Sequence, residues 1–297
     1  MKLAAAAYPL DWFEDWAAYE AKISAWVAEA AAAGADILVF PEYGAMELSS
    51  LGGPNVAADL EGALREVSRH RPAMEALHAR LAARHGVHIL AASGPVFSGE
   101  RPVNRASLFG PSGLIGHQDK AIMTRFERED WDVVPGNGLT VFETELGRVG
   151  VLICYDSEFP LLGRALAEAG CEILLVPSAT ETLAGFTRVR VGAMARALEN
   201  QCPAVQSPVI GVADWCAGME ENTGRAAIYG PPDRGWPPTG ILAEGDMAVP
   251  GWTYAEVTLD AVREVRDDGG VLNFRHWAEQ EDRLSVSICR AEAPQTA

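Results

Sequence analysis

Positive charge, clustered cysteines and long apolar runs are all scarce in this sequence. Its 24 lysines and arginines are outnumbered by 41 aspartates and glutamates, which gives a formal net charge of −17. A protein that neutralises phosphates needs a cationic surface, so this balance argues against nucleic-acid and anionic-membrane partners. No apolar run reaches the roughly 18 residues of a membrane-spanning helix. We therefore expect no nucleic-acid partner and no membrane partner.

The cysteines are odd in number and widely scattered. They form no C-x-x-C pair and lie at positions 154, 171, 202, 216 and 289. Such a set predicts neither a disulfide framework nor a zinc site, and it is typical of a reducing compartment. The apolar start of the chain meets Asp11, Glu14 and Asp15 too soon for a signal peptide. We expect a cytoplasmic protein without a metal.

Short apolar strands alternate with amphipathic helices along the whole chain. This alternation predicts a layered α/β protein. The 297 residues are 48% hydrophobic, which is enough to bury a sizeable core. No long linker, repeat or low-complexity tract divides them. We expect one domain over residues 1–297, with a disordered tail at the last few residues.

Several elements can be predicted individually from turn and capping signals. Gly110-Pro111-Ser112 predicts a hairpin, and a turn at residues 146–148 predicts another. Asp156 or Ser157 is a candidate N-cap for a helix over 157–169. The other predicted segments are strands at 3–8, 37–40, 87–92, 172–176, 204–207, 226–229 and 254–258, and helices at 16–34, 56–85 and 186–200.

Cys154 is the candidate nucleophile. It ends the apolar run Gly150-Val151-Leu152-Ile153, where a buried strand turns into a helix. Free backbone N–H groups at such a turn favour a thiolate. A cysteine in apolar surroundings is otherwise an inert core residue, so the assignment depends on partners elsewhere in the chain.

Two other apolar runs end in groups that a catalytic thiol needs. One run, residues 37–40, leads through Pro41 to Glu42, and the other ends at Lys120. Thiol attack on a carbon–nitrogen centre requires a base for the thiol proton and a cation for the developing oxyanion. Glu42, Lys120 and Cys154 meet these demands together. None of the six histidines is linked to Cys154 by the sequence, which leaves a Cys–His hydrolase possible but unsupported.

In four segments the chain resembles the nitrilase, or carbon–nitrogen hydrolase, superfamily over residues 1–290. These are Phe40-Pro41-Glu42, the stretch from Asp119 to Glu127, the stretch from Gly150 to Phe159, and Arg196-Ala197-Leu198-Glu199-Asn200-Gln201. The resemblance implies a four-layer α-β-β-α sandwich with two facing, mostly six-stranded sheets. It also implies pairing of two copies through the helices at 157–169 and 186–200, and hence a homodimer or larger homo-oligomer.

The same resemblance implies roles for the site residues. Glu42 would be the general base, Lys120 would bind the oxyanion, and Cys154 would form a thioester or thioimidate. The main-chain N–H of Tyr155 would be the second oxyanion donor. The family commonly adds a second glutamate shortly after the lysine. Glu127 has the usual separation from Lys120, whereas Glu129 better matches the distance to Pro135-Gly136; we favour Glu127.

Substrate preference rests on the residues after the nucleophile. Tyr155-Asp156 resembles the amidase-type branches, whereas true nitrilases usually carry Trp-Glu there. Branches that act on carboxylate-bearing substrates often have an arginine three or four residues after the cysteine as a clamp for the acid. Ser157 and Glu158 stand there instead, which favours a neutral or amine-bearing substrate. Glu181, in the loop after the next strand, is a further candidate to contact the substrate.

The sequence therefore predicts a cysteine-dependent amidohydrolase that cleaves a small linear amide without metal or organic cofactor. An N-carbamoyl-amine hydrolase, a nitrilase and an acyltransferase are alternatives within the superfamily, although the missing membrane segments weigh against a lipid-modifying acyltransferase. A catalytically silent scaffold that binds other proteins is the alternative of another class.

Overall fold

The computed structural model describes residues 1–290. The disordered tail expected at the last few residues lies outside this range. The strands are β1 (Lys2–Pro9), β2 (Ile37–Val39), β3 (His88–Leu90), β4 (Gly94–Val96), β5 (Val103–Gly110), β6 (Gly113–Asp119), β7 (Val141–Thr144), β8 (Gly147–Val151), β9 (Ile173–Ser178), β10 (Ala204–Val212), β11 (Glu221–Asn222), β12 (Ala227–Tyr229), β13 (Ile241–Glu244) and β14 (Gly251–Glu256).

Helices connect these strands. They are α1 (Trp16–Ala32), α2 (Pro54–Ala57), α3 (Leu60–His85), α4 (Arg125–Glu129), α5 (Pro160–Glu168), α6 (Leu183–Asn200), α7 (Leu259–Asp268) and α8 (Asn273–His276). Three segments are 3₁₀ helices: Gly44–Gly52, Cys154–Glu158 and Trp277–Arg283.

The strands form two sheets that meet at one point. The first sheet has the order β6-β5-β3-β2-β1-β14, with β4 pairing with β5 beside β3. The second has the order β7-β8-β9-β10-β12-β13, with β11 at the end of β10. The sheets join where β1 and β10 pair in parallel at Tyr8 and Val209.

Alternating side chains of β1 explain the layering. Leu3, Ala5 and Ala7 lie in a cluster with residues of the second sheet, whereas Ala4, Ala6 and Tyr8 pack with residues of α1 and α3. Successive side chains of a strand point to opposite faces, so these two clusters place the second sheet on one face of β1 and helices on the other. The predicted α-β-β-α sandwich is confirmed.

Most predicted elements are present, with two corrections. The single helix predicted over 56–85 is divided into α2 and α3, because Asp59 adopts an extended backbone and caps α3 by accepting from the N–H of Gly62. The predicted cap of the helix after the nucleophile is wrong. That helix begins at Pro160, with Phe159 at the N-cap and no side-chain cap, since Asp156 and Ser157 point into the protein interior.

Sequence reasoning missed α7 entirely. Its buried face is short, and only Val262 and Val265 are buried, so its apolar period is weak. The helix is nevertheless fixed to the rest of the fold by its Arg266, which donates to the carbonyl oxygens of Asn200 and Cys171.

Candidate active site

Lys120 is the centre of a buried charged cluster. Its Nζ donates to Glu42 Oε1 at 2.7 Å and to Glu127 Oε2 at 2.6 Å. Lys120 comes directly after β6, and Glu42 and Cys154 each follow the last residue of β2 and of β8 by three positions. Three strand ends thus bring these groups to one cavity. An ammonium has three hydrogens, and the two carboxylates use two of them. One hydrogen remains for a third acceptor.

Glu127, and not Glu129, is the second glutamate at this cluster. Its carboxylate accepts from the Tyr43 hydroxyl at 2.8 Å and from the N–H and hydroxyl of Thr124 at 2.8 and 2.9 Å. Thr124 and Glu127 form the capping box of α4. Glu129 is exposed and pairs with Arg125 at 2.7 Å. The T-x-x-E spacing of a capping box was therefore a signal in the sequence that distinguishes the two glutamates.

Two further groups hold Glu42, and sequence reasoning missed both. Asn104 Nδ2 donates to Glu42 Oε1 at 3.0 Å, and the backbone N–H of Ala179 donates to Oε2 at 3.0 Å. Asn104 lies within β5 and Ala179 follows β9. An asparagine inside a strand has no sequence signature, so only the tertiary structure brings it to the site.

The backbone at Cys154 adopts an uncommon conformation. Its φ is 49°, in the left-handed region that costs a non-glycine residue about 1–3 kcal/mol. The turn is fixed by its neighbours, because Ser157 Oγ donates to the Cys154 carbonyl oxygen at 2.7 Å and Arg196 donates to the Ser157 carbonyl oxygen at 2.7 Å. Gly192 allows α6 this close approach, since a Cβ there would lie 2.8 Å from the Ser157 oxygen.

Asp156 ties the nucleophile turn to the lysine segment. This buried carboxylate accepts from the backbone N–H groups of Ala121 at 3.1 Å, Ile122 at 2.8 Å and Ile153 at 3.3 Å. Burial raises its pKa to about 6, although Lys120 and these N–H groups oppose the rise. The residue thus fixes the position of Lys120 relative to Cys154.

We expect Asp156→Asn to lower the free energy of unfolding by about 1–3 kcal/mol, since an amide cannot accept all three N–H groups. It should also lower kcat by about a hundredfold, because the displaced strand ends no longer hold reacting groups in register. Urea unfolding and steady-state kinetics measure the two effects. Asp15→Asn, at the N-cap of α1, is the matched control and should retain kcat. Unchanged kcat in Asp156→Asn would contradict the positioning role.

Burial sets the protonation of the base and the nucleophile. It raises the pKa of Glu42 to about 7, with the cation of Lys120 opposing. Burial and the nearby Glu42 carboxylate raise the pKa of the Cys154 thiol well above its usual value. The expectation that the turn favours a thiolate is therefore wrong for the free protein, since desolvation outweighs the backbone N–H groups. The resting site holds a neutral thiol beside a carboxylate that can accept its proton.

Lys120 and Glu127, in contrast, keep their charged forms. Burial disfavours the Lys120 ammonium, but the carboxylates of Glu42 and Glu127 outweigh it and raise its pKa. Burial opposes the Glu127 carboxylate as well, yet Lys120 lowers the pKa of Glu127 below its usual value. Lys120 stays cationic and Glu127 anionic, so of the two carboxyls that contact Lys120 it is Glu42 that titrates near neutral pH.

Glu42, Lys120, Glu127 and Cys154 form the base of a cavity of about 740 Å³. Tyr155, Glu158 and Glu181, the three residues predicted to contact the substrate, all line it. Glu158 pairs with Arg188 of α6 at 3.6 Å. Trp131 also lines the cavity and packs edge-to-face on Tyr43, with ring centroids 4.8 Å apart. The cavity is large enough for a substrate with several carbons beyond the reacting amide.

His, Cys, Asp and Glu side chains of residues 1–290 nowhere form a group of three suited to a metal ion. None of the helices in the same range combines the length and apolar composition needed to cross a bilayer.

Known proteins resemble this chain in sequence and in fold. It is 30% identical over 257 residues to a probable hydrolase, YhcX, from Bacillus subtilis, a match that covers 86% of this chain and 49% of the relative. It is 36% identical over 143 residues to a deaminated glutathione amidase from Yersinia enterocolitica, covering 44% of this chain and 50% of that protein. The chain thus spans about half the length of these two curated relatives.

Solved structures resemble the whole sandwich. A carbon–nitrogen hydrolase from Helicobacter pylori has a TM-score of 0.74 at 18% identity, with 96% of this chain and 95% of that chain covered. An amidase variant from Nesterenkonia has a TM-score of 0.67 at 22% identity, with 93% and 99% covered. These two likenesses establish the fold. The sequence profile of the carbon–nitrogen hydrolase family matches residues 2–267, and the chain therefore belongs to the carbon–nitrogen hydrolase family.

Proposed function

We propose that this protein hydrolyses a small linear amide through an acyl-enzyme on Cys154. The observation that carries the proposal is the Lys120 ammonium between Glu42 and Glu127, at the base of a cavity that Cys154 also lines. A base, an oxyanion-binding cation and a thiol meet there. We further propose that residues 1–297 form one catalytic domain.

In the first half of the reaction, Cys154 Sγ attacks the amide carbon while its proton passes to Glu42. The carbonyl oxygen becomes an oxyanion, stabilised by the remaining hydrogen of Lys120 Nζ and by the N–H of Tyr155. When the intermediate collapses, the C–N bond breaks and Glu42 returns the proton to the departing nitrogen. Ammonia or an amine leaves, and the acyl group remains as a thioester.

In the second half, water attacks the thioester carbon and gives a proton to Glu42. The C–S bond breaks, Glu42 protonates the sulfur, and the carboxylic acid is released. Glu127 takes no proton, because Lys120 lowers its pKa; it holds and orients the lysine. Glu42, with a pKa of about 7, accepts and returns protons in both halves.

The similar proteins support an amide over a nitrile or a carbamoyl amine. Sequence relatives include the deaminated glutathione amidase and an omega-amidase from Xenopus laevis, which is 29% identical over 59% of this chain. The Nesterenkonia variant is described with acrylamide added to its active-site cysteine. Ammonia release from matched amides, nitriles and carbamoyl amines tests the preference. Release from a nitrile alone would contradict it.

We expect kcat/KM for an uncharged amide to rise about tenfold per pH unit up to a pKa near 7 and then to level off. Below this pKa Glu42 is protonated and no longer accepts the thiol proton, so activity falls as the pH falls. Below a pH of about 6, protonation of Asp156 should make the fall steeper. The raised pKa of Cys154 predicts no second limb close to neutrality. Initial rates from pH 5 to 9 measure the profile. A rate that falls on going from pH 6 to 8 would contradict the assignment of the base.

Homo-oligomerisation and a cytoplasmic location stay predictions. Leu161 on α5 and Val191 on α6 are exposed apolar side chains, at 73% and 60%. Pairing of two copies through α5 and α6 would cover them.

A further inference from the structure

The outer part of the cavity carries more negative than positive charge. Above the Glu42, Lys120 and Glu127 cluster, its charged lining residues are three carboxylates and two guanidiniums: Glu158, Glu181, Glu220, Arg125 and Arg188. The cluster below adds no excess of positive charge, because the single Lys120 ammonium faces two carboxylates there. A substrate that enters this cavity meets a negative field.

Both guanidiniums are already engaged with carboxylates of the protein. Arg188 lies 3.6 Å from Glu158, and Arg125 lies 2.7 Å from Glu129 outside the cavity. A substrate carboxylate at either arginine would share the guanidinium with a protein carboxylate and would lie beside that negative charge. The two arginines of the cavity are therefore less favourable sites for a free acid than unpaired arginines would be.

Glu181 and Glu220 have no such partner. Among residues 1–290, neither forms an ion pair, and the side chain of Glu220 accepts only the backbone N–H of Gly218, at 3.0 Å. They are the two uncompensated charges at the outer cavity. Both side chains are solvent-exposed where they line the cavity, so each acts on a bound ligand as a surface charge that salt screens.

We propose that the substrate carries an ammonium group at the end remote from the reacting amide, and that Glu181 and Glu220 select it. This inference rests on the proposed amide hydrolysis and adds the charge of the substrate. The selection is both attractive and repulsive, since the same carboxylates that favour an ammonium disfavour a carboxylate.

Three amides with the same four-methylene spacer test the proposal: 5-aminopentanamide, hexanamide and adipic acid monoamide. Ammonia release by the full chain gives kcat/KM for each at pH 7.5. We expect 5-aminopentanamide to exceed hexanamide by about tenfold, and adipic acid monoamide to fall about tenfold or more below hexanamide. Added salt should narrow both differences.

Single substitutions test whether Glu181 and Glu220 cause the preference for an ammonium-bearing substrate. Glu181→Gln and Glu220→Gln should each lower the ratio of kcat/KM for 5-aminopentanamide over hexanamide by about threefold or more. Glu264→Gln is the matched control, because it removes the same charge from an exposed position on α7 and should leave the ratio unchanged.

The three substrates distinguish a failure of ammonium selection from a failure of amide hydrolysis itself. Hydrolysis of hexanamide with an equal or lower rate for 5-aminopentanamide would overturn the inference and leave the amidase function in place. A wild-type ratio that survives both glutamine variants would overturn the role of these carboxylates. No release from any of the three amides would overturn the proposed function together with the inference.

Discussion

Replacement of Cys154 by alanine is expected to lower kcat for amide hydrolysis by about a thousandfold or more, with the fold intact. Without the thiol no acyl-enzyme forms, and the remaining groups can only bind the amide and polarise it. Cys154 is 4% exposed, and its sulfur donates a long hydrogen bond to the Ala179 carbonyl oxygen at 3.7 Å. Its loss should therefore cost little stability, about 1 kcal/mol. Ammonia release and urea unfolding measure the two quantities.

Another buried cysteine provides the control for this experiment. Cys202 is fully buried within the core, and Cys202→Ala should retain kcat. Labelling with iodoacetamide offers a second measurement, and it requires a Cys289→Ser background because Cys289 is exposed. Labelling of Cys154 that a competing amide prevents would support catalysis. Full turnover in Cys154→Ala would contradict the proposed nucleophile, and an unreactive, unprotected thiol would favour the scaffold alternative.

Replacement of Lys120 by alanine is expected to remove both turnover and stability. The oxyanion loses its cation, which should lower kcat by about 10²–10³-fold. Two buried carboxylates then face each other without a counter-ion, and removal of one partner of such a cluster costs about 3–5 kcal/mol. Steady-state kinetics and urea unfolding measure these losses.

The loss of stability in Lys120→Ala should depend on pH with a defined sign. Burial without the lysine raises the pKa of Glu42 and Glu127 in the folded state above the unfolded values. The folded protein then holds protons that the unfolded chain releases, so stability falls as the pH rises through the folded-state pKa. The variant should be closer to wild type at pH 5 than at pH 9. The opposite trend would contradict the charge assignment.

Lys22 is the matched control for this lysine. It lies 2.8 Å from the buried Glu47 and 2.9 Å from Asp11, away from the cavity. Lys22→Ala should also lower the free energy of unfolding, yet it should keep kcat near the wild-type value. Comparison of the two lysines separates a loss of charge compensation from a loss of catalysis.

The sequence was most informative where a local rule applies. The predicted helix over 16–34 is now α1, and its buried residues Tyr19, Ile23, Val27 and Ala30 recur at three- and four-residue steps. Gly110-Pro111-Ser112 predicted the hairpin that ends at Lys120, which is now β5 and β6. Hairpins and amphipathic helices depend on residues that are neighbours in the chain, so their signals survive without a structure.

Local rules failed where a side chain has a distant partner. Aspartate is a common N-cap residue, but the side chain of Asp156 points into the interior because it accepts hydrogen bonds from the backbone N–H groups of Ala121 and Ile122. The turn at Cys154 predicts a thiolate when only its own N–H groups are considered. Burial and the carboxylate of Glu42, 112 residues earlier in the chain, reverse that prediction.

By itself, the sequence predicted most of the strand and helix pattern, indicated the family, and supplied the hypothesis that Glu42, Lys120 and Cys154 form one site. Only the tertiary structure showed that the Lys120 ammonium lies between two carboxylates in a cavity that Cys154 also lines. It also showed that Asn104 and Asp156 hold this cluster and that Arg188 pairs with Glu158. The physical reason is that periodicity and turn chemistry act over a few residues, whereas burial, charge compensation and hydrogen-bond satisfaction are set by groups that only folding brings together.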